Sequence, residues 1–115
     1  MHKDLKVYQR SYKLAISLYK FAVSMPKDEQ YGLTSQIKRA ATSIPLNIAE
    51  GYGKHDTNAE VKRFLKMAKG SCNELEVLVD ICHDLSFMEK AAHEKYVDEL
   101  HEIGAMLYGL IKSLN

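Results

Sequence analysis

No apolar run in this sequence approaches the roughly 20 residues that a membrane-spanning helix needs, which predicts a protein without membrane spans. The opening residues, MHKDLKVYQR, are charged and lack the apolar core of a secretory signal, so the expected location is cytoplasmic. Cysteine is scarce, with only Cys72 and Cys82. On one helix their ten-residue separation would be about 15 Å, too far for a disulfide. Both fall at apolar spacing and read as buried thiols, and no CxxC pair is present for a metal. Catalytic signatures are missing as well. There is no G-x-S-x-G, no P-loop and no G-x-G-x-x-G. Arg10, Arg39 and Arg63 have no histidine at the spacing of helical RNases, and neither Arg-Gly repeats nor an RRM aromatic signature occurs. No catalytic residue, cofactor or metal is expected. The pairs Asp80-x-x-His83 and Asp98-x-x-His101 look like di-iron carboxylate motifs. A turn near residues 86–88 would set His83 opposite residue 90 and His101 opposite residue 72, roughly 15 Å apart along the axis.

What is present is helical periodicity. The 115 residues, 46% of them hydrophobic, suit one domain spanning 1–115. Apolar residues recur at three-and-four spacing in four segments, and no stretch reads as a strand. The first segment runs over about 4–24, with Leu5, Tyr8, Tyr12, Ala15, Ile16, Tyr19, Ala22 and Val23 on one stripe. Val7, Leu14, Leu18, Phe21 and Met25 form another. The second starts near Leu33 and buries Ile37, Ala40, Ala41, Ile44 and Ile48. The third opens on the capping box Thr57 to Glu60 and carries Val61, Phe64, Leu65, Ala68, Cys72, Leu75, Val79 and Cys82. Met67, Leu78, Ile81 and Leu85 make its second stripe. A further capping box, Ser86 to Glu89, is read as the start of the fourth, which carries Tyr96, Leu100, Ile103, Leu107, Leu110 and Leu114. Four helices with short connections predict an all-α, antiparallel up-down-up-down bundle. Double apolar stripes exceed what an isolated bundle buries, so a homo-oligomer is expected.

Pro45 falls inside the second segment. It removes the hydrogen bond to the Ala41 carbonyl at about 3 kcal/mol. Because Ile48 resumes the apolar face in phase, the helix is expected to bend there and end at Gly51 or Gly53. Ser43, Asn47 or a water is available to satisfy the freed carbonyl, and the bend would either wrap the helix around the core or aim the Asn47-Glu50-Gly51 end at a neighbouring subunit or ligand.

The net charge of +1 conceals a division. Residues 1–69 hold 13 Lys/Arg and 6 Asp/Glu, whereas residues 70–102 hold 2 and 9. Lys62, Lys66 and Lys69 fall within about 60° on the third helix, with Arg63 to one side. Lys54 and His55 precede them, and Lys38 and Arg39 lie on the second helix. Such a stripe can track phosphates without reading sequence. A plain solvated face is the competing reading, which would leave the chain a structural or protein-partner adaptor. Arg39 and Glu74 are candidates for a partly buried ion pair. Gly70 is read as permitting close helix approach, and Ser71 as bonding locally.

"PKDEQYGLTSQIKRAATSIPLNIAEGYG" and "FLKMAKGSCNELEVLV" resemble the four-helix-bundle proteins of 23S rRNA intervening sequences, also labelled S23 ribosomal protein-like. The likeness includes Arg39, Asn47, Glu50, Gly51, Gly70, Ser71 and Glu74. It implies an antiparallel bundle, commonly a homopentamer, without catalytic residues. It further implies kinship with the accessory variability protein of diversity-generating retroelements, and hence RNA or DNA and a reverse transcriptase as partners.

Overall fold

The computed structural model describes residues 2–54 and 57–115, without the side chain of Lys54. It contains four α-helices: α1 (Lys6–Ala22), α2 (Leu33–Lys54), α3 (Asn58–Asp84) and α4 (Lys90–Ser113). Short 3₁₀ turns occupy His2–Asp4 and Lys27–Glu29. No strand occurs among the described residues. The helices pack in chain order as an antiparallel bundle measuring 43 × 24 × 20 Å.

The apolar periodicity explains the core. Leu18, Ile37, Ile44, Ile48, Leu65, Leu75, Ile103 and Leu107 are fully buried. Each such side chain contributes roughly 1.5–3 kcal/mol relative to exposure. α3 is the central element, burying eight residues from Val61 to Cys82. α4 buries three, Leu100, Ile103 and Leu107. Leu78 joins the core, so the second stripe of α3 is narrower than the sequence suggests, and Val77 takes its place outside.

Helix ends differ from expectation in three places. α1 is 17 residues long because residues 2–4 form a 3₁₀ turn and Pro26 disfavours helix at the residue before it. α2 runs to Lys54, past both glycines proposed as its end. Ser86 does not cap α4. It adopts φ 64° and closes α3 instead. Its N–H donates to the His83 carbonyl at 3.0 Å, and the Phe87 N–H donates to the Cys82 carbonyl at 2.8 Å. That pairing is a Schellman motif with serine where glycine is usual. α4 then begins at Lys90 behind Glu89. Thr57 does cap α3, accepting from the Glu60 N–H at 3.2 Å.

Pro45 is buried and α2 continues through it. Asn47 does not serve the Ala41 carbonyl. Its amide donates to the Ser43 carbonyl at 2.8 Å and to the Ser43 hydroxyl at 2.9 Å. Ser71 on α3 donates to that same hydroxyl at 2.8 Å, so it bonds across helices and not locally. At Gly51 a Cβ would lie 3.1 Å from Phe64 Cβ and 3.4 Å from the Val61 carbonyl oxygen. The Asn47-Gly51 end of α2 is thus fastened onto α3. Gly70 is the reverse case: among the described residues, no atom beyond its own stretch of helix lies within 4 Å of a Cβ placed there.

Candidate nucleic-acid interface

The 3.6-residue repeat and the long, capped α3 put Lys62, Lys66 and Lys69 on one side of that helix, turned toward α4. Lys66 is exposed, and Lys62 and Lys69 are half-buried. The Lys62 ammonium donates to the Asn115 side-chain carbonyl. No carboxylate pairs with any of the three lysines among the described residues. Among the described residues no carboxylate therefore competes at short range for these charges, which favours phosphate contact. Arg63 differs. It bonds the Glu60 carboxylate at 3.3 Å, and its guanidinium lies 4.6 Å from the centre of the Phe64 ring.

Other members of the predicted basic site lie elsewhere. Ser43 against Ser71, and Gly51 against Phe64, fix the antiparallel register of α2 on α3. Lys38 and Arg39 therefore lie level with residues near 75, about 9 Å beyond Lys69 along the axis. Lys38 turns toward α1, its ammonium 5.2 Å from the centre of the Tyr19 ring. The side chain of Lys54, and His55 altogether, lie outside the described residues. The remaining motif residues divide by burial. Gly51 and Ser71 join α2 to α3, Asn47 bonds Ser43 within α2, Glu50 is half-buried near the end of α2, and Gly70 and Glu74 are exposed. Arg39 and Glu74 are both exposed, and no ion pair joins them among the described residues.

One ion pair has no local signature in the sequence. Arg10 on α1 donates through Nε to Glu99 at 3.0 Å, through a second nitrogen to the other Glu99 oxygen at 2.5 Å, and also to Glu102. These bonds, chiefly those to Glu99, raise the arginine pKa further and keep the guanidinium charged. They close α1 onto α4 beside a groove of about 580 Å³ lined by Leu14, Ser17, Ala92 and Tyr96.

The other reactive groups are quiet. Cys72 and Cys82 are free and buried, and burial pushes their thiols up to about 12 and about 11. Neither is a thiolate nucleophile at neutral pH. His83 stacks on His93 with ring centres 4.6 Å apart, and His93 meets Asp80 at 2.6 Å. His101 meets Glu76 at 3.0 Å. These partners sit about one turn beyond the expected ones, because α4 starts at Lys90 and not at residue 87. Among the described residues, no group of three or more His, Cys, Asp or Glu is placed to hold a metal ion. Nor is any described helix long and apolar enough to cross a membrane.

The family model described as 23S rRNA-intervening sequence protein matches residues 3–109. A crystal structure of a protein of unknown function from the S23 ribosomal protein family of Bacteroides thetaiotaomicron VPI-5482 superposes with a TM-score of 0.82. The two chains are 26% identical, and the match covers 92% of this chain and 98% of that one. No curated protein matches.

Proposed function

Because the chain belongs to the 23S rRNA-intervening sequence protein family, we propose that it is a non-enzymatic, homo-oligomeric bundle that binds RNA or DNA through the lysine face of α3. The observation that carries this reading is the row Lys62, Lys66 and Lys69, three cations on one helix side with no carboxylate paired to them among the described residues. Phosphate contacts of this kind set affinity and not sequence, so the ligand is a nucleic-acid backbone. Oligomerisation is supported by rows of apolar side chains that the single bundle leaves exposed. A closed ring, with five copies favoured, is the assembly proposed.

A titration of labelled single-stranded RNA at about 50 and 200 mM salt tests the reading. Three phosphate contacts give a log–log slope of about −2, or an affinity loss of about 20-fold over that interval. Absence of binding at the lower salt contradicts nucleic-acid binding and favours the adaptor reading, in which the exposed apolar rows receive a partner such as a reverse transcriptase.

A further inference from the structure

We propose that copies of this chain join through two different faces, the apolar row of α1 on one copy docking against the apolar row of α3 on the next. The inference rests on the oligomeric reading above and adds which surfaces meet.

On α1 the row is Tyr12, Ile16, Tyr19 and Val23, between 43% and 86% exposed. On α3 it is Val77, Ile81 and Leu85, between 39% and 58% exposed, preceded on the same side by Met67, Gly70 and Glu74. Single exposed apolar residues are ordinary, but continuous rows at helical spacing mark an interaction surface. The segments 12–23 and 74–85 each contain twelve residues, about 16 Å of helix, so they match in length.

Charge selects the pairing. α1 contains no acidic residue, and α2 contains only Glu50. Exposed Lys13 and Lys20 flank the α1 row on one side, and Lys38 lies over Tyr19 on the other. On α3 the segment 74–85 has the opposite character. It carries Glu74, Glu76, Asp80 and Asp84 and no lysine or arginine. Packing α1 on α1 would oppose lysines, and packing α3 on α3 would oppose carboxylates. Packing α1 on α3 sets the lysine-flanked row of one copy against a row flanked on its α4 side by Glu76, Asp80 and Asp84. Since the two rows lie on different helices, the contact is heterologous and leaves a free row at each end until a ring closes.

The test uses one variant per face, Ile16→Glu and Ile81→Glu, compared with the parent by light scattering. Both side chains are exposed in the subunit, so circular dichroism should show parental helicity. The parent should assemble, and each variant alone should be monomeric. Mixed, the variants should form a 1:1 dimer of twice the 13.1 kDa subunit mass, because each retains the face the other lost and the two damaged faces repel. Val23→Glu with Val77→Glu is a second pair at more exposed positions. An assembled parent whose variants stay monomeric when mixed, or whose single variants still assemble, overturns the pairing of faces alone. A monomeric parent overturns both the pairing and the oligomeric reading.

Discussion

Replacing Lys62, Lys66 and Lys69 together with glutamine is expected to lower affinity for single-stranded RNA about 100-fold at about 0.1 M salt. Each phosphate neutralised releases about 0.7 of a counterion, so each lost contact removes about 0.7 of a decade at that salt. The loss should be similar across RNA and DNA sequences, since backbone contacts carry no sequence information. The salt dependence should flatten by about 2 in log–log slope. Glutamine and lysine have nearly equal helix propensity, and Thr57 still caps the helix, so α3 should persist. Lys62 does give up its bond to Asn115, but that contact is exposed and of small weight. Parental helicity and assembly mass are the controls. A folded, assembled variant that binds as tightly as the parent would reduce this face to solvated surface.

The second large effect is expected in the fold. Gly51→Leu should destabilise the subunit by about 3 kcal/mol, lowering Tm by about 10 °C. The reason is geometric. A Cβ at residue 51 already lies 3.1 Å from Phe64 Cβ and 3.4 Å from the Val61 carbonyl. These atoms belong to or adjoin the α3 backbone and cannot swing aside like the tip of a long side chain. Further carbons must push α2 and α3 apart and weaken the nearby Ser43–Ser71 bond. Gly51→Ala separates the causes. It needs only a few tenths of an ångström and gains about 1 kcal/mol of helix propensity, so it should remain within about 1 kcal/mol of the parent. A leucine variant as stable as the alanine variant would show that this approach is not tight in solution. Scanning calorimetry of the three proteins decides it.

Much of this architecture is legible in residue spacing. Ile37, Ala41, Ile44 and Ile48 predict the buried face of α2, and Thr57 with Glu60 marks the start of α3. Local rules serve there because periodicity and capping are properties of a few neighbouring residues. They fail where the deciding partner is distant. Nothing near Arg10 signals Glu99 and Glu102, 89 and 92 residues away. Ser71 reads as a local hydrogen-bonder until α2 lies beside it. The Ser86 sequence suits a helix start, yet the demand for an αL residue after α3 takes precedence. The candidate site was legible only in part. Lys62, Lys66 and Lys69 share a side because one helix carries them, whereas the place of Lys38 and Arg39 depends on the α2–α3 register, which spacing does not encode. Gly51 and Gly70 are alike as letters, and only packing shows that one is a close approach and the other an open surface.

The most direct measurement of the central claim is lysine footprinting of the unmodified protein: acetylation of each lysine read by mass spectrometry, with and without single-stranded RNA at low salt. The expected result is protection concentrated at Lys62, Lys66 and Lys69, with exposed Lys27 and Lys90 unchanged. Protection spread evenly over all lysines, or absent from those three while RNA is bound, would contradict it.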